Sequence, residues 1–306
     1  MSTGKELYRL GENAQPIYSV AFSAHGKLLA AAGNDGMIRL WATATGEKRG
    51  QLTGHDKIIT ALAFSADGKS LASAGTDMTI RFWELATGQE RHQFRDERGE
   101  FLAIALSAEG KRCFSGGKDA TILIWDVWDA AGGARPKPSA PVLEALWADL
   151  GSTDARQGFR ALRALAAAPE SAVALLRDKL SSTPQADPQR LARLLEGLDD
   201  DDFAVRERAT EELERLGCEA EPALRRKLAG RPSAEARRRI TAILTKLEQG
   251  AVSGHSLRLL RGLEALEGIG TPEARQALEK LAAGPADAWL TQEAKAALAR
   301  LARSGR

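Results

Sequence analysis

Cysteine and long apolar runs are both scarce in this chain, and each scarcity removes a class of answer. Cys113 and Cys218, the two cysteines in 306 residues, lie in different regions and match no metal-ligand spacing. Neither a disulfide framework nor a cysteine zinc site is expected to organise the fold. His25, His55, His92 and His255 are scattered and form no zinc constellation. No apolar run reaches the roughly 18 residues of a membrane span, and Met1 to Asn13 has no hydrophobic signal core. Charge of one sign is also lacking. The formal net charge is +2, with 15 basic and 15 acidic side chains in residues 1–128 and 26 and 25 in residues 142–306. Neither half has a field that favours nucleic acid or an anionic membrane. The phosphate-binding Gly-x-x-x-x-Gly-Lys-Ser/Thr loop, the kinase signature set and the Gly-x-Ser-x-Gly elbow are missing too. No catalytic residue, cofactor or metal is expected, and no nucleic-acid partner.

What is present is a repeat. The stretch GHDKIITALAFSADGKSLASAGTDMTIRFWE, Gly54 to Glu84, recurs imperfectly on both sides at a spacing of 42. Phe22, Phe64 and Leu106 keep that step, as do Asp35, Asp77 and Asp119, and Trp41, Trp83 and Trp125. A fixed period fixes the architecture before any other reading. Each unit alternates short β-branched and apolar runs with turns: Ile59–Phe64, Ser70–Ala74, Thr79–Trp83 and Glu90–Phe94 are separated by Asp67-Gly68, Gly75-Thr76-Asp77 and Thr87-Gly88. Four strands per unit, joined by hairpin turns, are expected.

A unit of about 40–45 residues with Gly-His at one end and Trp-Asp at the other resembles a WD-repeat β-propeller blade, as in bacterial-type WD-repeat proteins. The second copy carries most of the signature: Gly54-His55, Ser73, Asp77 and Trp83-Glu84. The first has Glu12-Asn13 for Gly-His, Ala31 for the strand serine, and Trp41-Ala42. The third keeps Ser115, Asp119 and Trp125-Asp126 but has Asp96-Glu97 for Gly-His. The resemblance implies that His55 bridges Asp77 and Ser73, with the Trp83 indole ending the chain. Asp35, Trp41, Ser115, Asp119 and Trp125 are the matching positions of the other copies. It also implies that His55, Ser73 and Asp77 are a structural network rather than a hydrolase triad. Copies lacking members should be looser.

The resemblance further implies a partner-docking face at the loops beside the first strand and just before the turn aspartate. By register those positions are Tyr18, Thr60 and Leu102, then Asn34, Thr76 and Lys118, with Ile58 and Glu100 two residues upstream of the first set. They differ among copies while core positions repeat.

Blades are expected near 11–52, 53–94 and 95–128, with residues 3–10 a stray outer strand, because Thr3-Gly4 and Leu10 stand 42 before Thr45-Gly46 and Leu52. Three blades fall short of the four to eight of typical rings. Three arrangements fit that count: a piece of a longer protein, an open arc leaning on a second domain, and half of a six-bladed dimer.

Residues 129–141, DAAGGARPKPSAP, read as a stiff linker. Beyond it, Ala/Leu/Arg/Glu segments at helical spacing predict helices near 143–150, 155–168, 170–180, 189–198, 203–216, 220–229, 234–248, 255–267, 272–283 and 292–303. A helix-start phrase recurs at Ser152, Ser233, Thr271 and Thr291, with Asp202 as a variant; the side-chain oxygen can cap first-turn amides. Arg206, Ala209, Leu213 and Leu216 stand 31 before Arg237, Ile240, Leu244 and Leu247. Helix pairs with this spacing resemble HEAT-type repeats, and residues 142–306 read as a short α-solenoid whose units pack on their neighbours. Asp199–Asp202 reads as a loop ending in a cap, and the basic runs at 225–227 and 237–239 as solvated helix faces.

The fold expected is therefore multi-domain, β + α: a partial WD-repeat propeller of three four-stranded blades, then an all-α HEAT-like region. The function expected is a non-catalytic protein–protein interaction scaffold in the cytoplasm, with self-association through open propeller edges. The alternative is a regulatory or sensor appendage of a larger signalling enzyme.

Overall fold

The computed structural model describes residues 6, 8–11, 15–128, 137–182, 187–248, 253–286 and 288–303. The chain divides into two compact units, Met1–Val127 and Trp128–Arg306.

In the first unit, β1 (Ile17–Phe22), β2 (Leu28–Gly33), β3 (Met37–Ala42) and β4 (Lys48–Thr53) form one antiparallel sheet in chain order. A second such sheet holds β5 (Ile59–Phe64), β6 (Ser70–Gly75), β7 (Thr79–Glu84) and β8 (Gln89–Arg95), and a third holds β9 (Phe101–Leu106), β10 (Arg112–Gly117) and β11 (Ile122–Asp126). Each first hairpin closes the same way. The hydroxyls of Ser23, Ser65 and Ser107 accept the amides of Leu28, Ser70 and Arg112 at 3.0–3.1 Å. Gly26, Gly68 and Gly110 take the left-handed conformation at φ 65–70° that a side chain would resist.

The sheets stack through their inner strands, β1 beside β5 and β5 beside β9. Ala30, Ala32, Ile38, Leu40 and Leu52 of the first sheet share one buried cluster with Ile59, Leu62, Leu71 and Trp83 of the second. Two hydrogen bonds stitch the strands: Leu62 N–H donates to Ser19 Oγ at 3.0 Å, and Thr60 Oγ1 donates to the Phe101 carbonyl at 2.7 Å. At the next junction Phe94 stacks on Trp125 at 5.0 Å, with Phe101 edge-on at 6.0 Å.

The third sheet departs from expectation. Among the described residues it has three strands, because the chain leaves Asp126 for a Gly/Ala/Pro segment with no alternating pattern to form a fourth. Of the expected outer strand at 3–10, residues 3–5 and 7 lie outside the described residues. Residues 6 and 8–10 are not in a strand, although the Tyr8 hydroxyl donates to the Ala44 carbonyl. Residues 129–136 of the expected linker also lie outside the description.

The second unit contains, among the described residues, α1 (Ala140–Asp149), α2 (Ala155–Ala166), α3 (Pro169–Ser181), α4 (Pro188–Gly197), α5 (Phe203–Leu216), α6 (Glu221–Ala229), α7 (Ala234–Glu248), α8 (Gly254–Ile269), α9 (Pro272–Ala282) and α10 (Trp289–Arg303). Asp202, Ser233 and Thr271 cap their helices through side-chain oxygens. Two expected caps differ. Asp154 rather than Ser152 caps α2, its carboxylate reaching two amides. Thr291 lies inside α10, buried, because the helix starts at Trp289.

Packing in this unit is not confined to neighbours in sequence. Helix α2 packs on α8, and α3 on both α8 and α9. Helix α8 is the centre, buried on several sides through Leu257, Leu259, Arg261, Leu263, Ala265 and Leu266. The fully enclosed Arg261 guanidinium donates to the carbonyls of Leu150 and Ser152, both at 2.7 Å. Gly158 of α2 makes room for it, since a Cβ there would stand 2.2 Å from that guanidinium. Helices α4 to α7 gather around a separate cluster that includes Leu198, Leu213, Leu224, Ile240 and Ile243. This arrangement replaces the expected nearest-neighbour solenoid.

Candidate functional site

The second sheet holds a buried chain of polar groups. His55 Nδ1 lies 2.9 Å from Asp77 Oδ2, His55 Nε2 lies 2.7 Å from Ser73 Oγ, and Trp83 Nε1 donates to Ser73 Oγ at 2.8 Å. Thr79 adds its hydroxyl and its amide to Asp77 Oδ1 at 2.7 and 3.1 Å, and the Asp56 amide reaches Oδ2 at 3.3 Å. With Asp77 ionised, His55 Nδ1 donates to it, and Ser73 Oγ bridges His55 Nε2 and the Trp83 indole N–H.

Burial by itself raises the Asp77 pKa, but the His55 hydrogen bond and charge, then Thr79 and the Asp56 amide, outweigh it and hold the carboxyl well below its usual range. The connectivity Asp77–His55–Ser73 is that of a hydrolase triad. The environment is not: Ser73 is 0% exposed, and its oxygen is already engaged by an indole N–H. A nucleophile needs an open position beside an oxyanion site. This one is sealed between strands.

The other sheets keep fragments of the chain. Trp125 Nε1 donates to Ser115 Oγ at 2.8 Å, and Asp119 is exposed, accepting only the Thr121 amide and hydroxyl among the bonds resolved there. In the first sheet Ala31 offers Trp41 no hydroxyl, and Asp35 pairs with Arg39 at 2.7 Å. What all three share is the turn. Asp35, Asp77 and Asp119 each accept the amide two residues on at 3.1 Å, and Gly36, Met78 and Ala120 follow at φ 62–68°. Only the first of those three is a glycine.

The expected docking positions are brought together at one end of each sheet. Backbone bonds join Asn34 to Pro16, Thr76 to Ile58 and Lys118 to Glu100. Tyr18, Thr60 and Leu102 each occupy a β-bulge: pairing passes from Ile17 to Ser19, from Ile59 to Ala61 and from Phe101 to Ala103. A bulge leaves one residue out of the ladder and re-aims its side chain. The glycine opposite is required, because a Cβ on Gly33 or Gly75 would stand 2.0 or 2.6 Å from the Pro16 or Ile58 carbonyl oxygen. Sequence periodicity identified these positions but not the bulge, which is visible only in the pairing.

Their availability differs. Tyr18, Leu102, Asn34 and Lys118 are exposed, whereas Ile58, Thr60, Thr76 and Glu100 are half-buried. Thr60 spends its hydroxyl on the Phe101 and Ala74 carbonyls and so acts between strands. Lys118 and Glu100 pair at 3.4 Å, and the Asn34 amide donates to Gln15.

Other candidate chemistry resolves into structure. Asp199 meets the Ser233 hydroxyl, Asp200 the Asp202 amide, and Asp202 the first turn of α5. Among the described residues no group of three His, Cys, Asp or Glu side chains could hold a metal. Arg225 pairs with Glu221, and Arg239 with both Glu207 and Glu235. Burial pushes the Cys113 thiol up to about 12 and the Cys218 thiol up to about 11. No described helix is long and apolar enough to cross a membrane.

Antiparallel sheets stacked through their inner strands, each with the same aspartate turn and tryptophan, define a β-propeller-like segment. Its units are WD40 repeats: the family described as WD domain, G-beta repeat matches residues 4–42, 46–84 and 88–126. Solved structures with likeness include that of U3-55K, at 23% identity over 39% of this chain and 38% of that one, with a TM-score of 0.37. The crystal structure of the RRP9 WD40 repeats is similar at 24% identity over 39% and 37%, also with a TM-score of 0.37. The chain thus matches under two-fifths of either relative. No curated protein matches it.

Proposed function

We propose that this chain is a non-catalytic protein-interaction scaffold whose first unit recruits partners through the sheet end bearing Tyr18, Leu102, Asn34 and Lys118. One observation carries the reading: the three repeats share hairpins, turn and bulge, yet the bulged residue and its neighbours differ from repeat to repeat. A common frame with individual tips suits recognition of one extended surface. An exposed tyrosine such as Tyr18 is among the residues from which interface anchors are drawn. The sealed Ser73 removes the most triad-like constellation from consideration as chemistry. In the second unit, α4/α5 and α6/α7 read as two HEAT-like helix pairs. The support is their 31-residue recurrence, with Ala209, Ile240, Leu213 and Leu244 all buried.

The test places a photo-crosslinking residue at Asn34, at Lys118 or at exposed Glu170 of α3. A shared partner captured from the first two positions and not the third, and lost on Tyr18→Ser/Leu102→Ser, is the expected result. Equal capture at all three sites, or capture indifferent to the double substitution, overturns the reading.

A further inference from the structure

The two end sheets of the first unit expose apolar faces that have buried counterparts inside the same chain. On β3, β7 and β11 the equivalent residues are Ile38, Ile80 and Ile122, paired across the hairpin with Ala32, Ala74 and Gly116. Two residues on come Leu40, Phe82 and Ile124. The first two members of each set are buried, while Ile122 is 77% and Ile124 64% exposed. On β1 and β5 the equivalent pairs are Val20, Phe22 and Leu62, Phe64. Leu62 and Phe64 pack into the cluster that holds Ile38 and Leu40, whereas Val20 is 62% and Phe22 63% exposed.

The chain therefore displays one worked junction and both halves of another. Inside it, Ile38 and Leu40 face Leu62 and Phe64. At its ends, no sheet among the described residues faces Ile122 and Ile124, and none faces Val20 and Phe22. Each exposed pair has the size and chemistry that the other's vacant partner calls for.

We propose that a second copy of this chain covers both faces, the β9–β11 sheet of each copy packing on the β1–β4 sheet of the other. Two sets of the three described sheets make a ring of six, within the four to eight blades of closed propellers. The interface is heterologous, and it closes because two such contacts return to the start. The new junction is more apolar than the internal ones. Ala103 stands where Ser19 accepts its cross-strand bond, and Leu102 where Thr60 donates one, so neither stitch is repeated. Leu102 borders both this junction and the loop end, so closure is read at Val20 and Ile122, which are not among the docking residues, and its failure would leave the scaffold reading untouched.

Sedimentation equilibrium of the full chain over a concentration series tests this. A discrete species of twice the 32.8 kDa chain mass is expected. Val20→Asp and Ile122→Asp, one on each face, should each raise the dimer dissociation constant by roughly tenfold or more. Mixing the two variants should recover part of the association, because one undamaged junction remains possible. Both positions are exposed, so circular dichroism should match the parent. If either variant unfolds, oxidation of a Val20→Cys/Ile122→Cys chain replaces it, and a disulfide-linked pair of chains is expected. A monomer throughout, a ladder of growing oligomers, or a dimer indifferent to both faces overturns the proposal.

Discussion

The second and third sheets are built on one register, yet one contains a continuous polar chain and the other a remnant. In the second, His55 spans the gap between Ser73 and Asp77 and covers the aspartate. In the third, Asp96-Glu97 stands at that place, Ser115 holds Trp125 alone, and Asp119 turns to solvent. The turn survives the loss and the network does not. The aspartate thus has two separable duties: Oδ1 shapes the hairpin in both sheets, and Oδ2 ties strands together only where a histidine meets it. The difference should be measurable as stability.

The sharpest contrast is between the tryptophans. Trp83→Ala should cost roughly 3–5 kcal/mol, as deletion of a fully buried Trp does, and Trp125→Ala, at a half-buried site, clearly less. Urea denaturation with a probe in each sheet measures both. Equal losses would mean that the histidine chain adds nothing to the second sheet. Next comes His55→Ala, which removes one buried hydrogen bond from Ser73 and one from Asp77 and should cost about 1–3 kcal/mol in all. If Ser73→Ala in that background costs as much as in the parent, the two do not share a network.

Acid should separate the sheets as well. Asp77 is held below its ordinary 3.8 in the fold, so its contribution is complete above that value and fades as pH falls through the lower folded one. Stability should drop from about pH 4 downward, and Asp77→Asn should flatten that limb more than Asp119→Asn. A limb unchanged by Asp77→Asn would remove the carboxylate from the argument. The smallest contrast concerns the bulges. Thr60→Ala removes a hydrogen bond between strands and should cost about 0.5–1.5 kcal/mol, whereas Tyr18→Ser should stay within about 0.5 kcal/mol. Thermal melts of the pair would show whether the bulged residues serve packing or recognition.

Much of this was legible from the letters alone. Strands repeated in step because hairpin hydroxyls, turn aspartates and buried tryptophans each have a fixed place in a four-strand unit. The ten helices begin and end within a few residues of their expected positions, since Gly, Pro and Asp mark the breaks. Three things escaped. Thr291 carries a cap-like phrase, but Trp289 and Leu290 bury against the bundle and pull the helix start back, so packing outweighs the local signal. Thr60 looked like loop surface, because hydroxyl bonding across sheets leaves no periodic trace. The place of α8 was missed because Arg258, Arg261, Glu264 and Glu267 interrupt its apolar positions, and nothing local shows that Arg261 and Glu264 are buried.

The Arg261 contact has a consequence for how the polypeptide is made. Its guanidinium meets carbonyls 109 and 111 residues earlier in the chain. During synthesis the corner between α1 and α2 leaves the ribosome long before the side chain that will hold it. The first three helices must wait with their apolar sides uncovered until the C-terminal third arrives, a slow closure over a long loop. The WD40 sheets, assembled from adjacent hairpins, face no such delay, and nascent chains should acquire protease resistance there first.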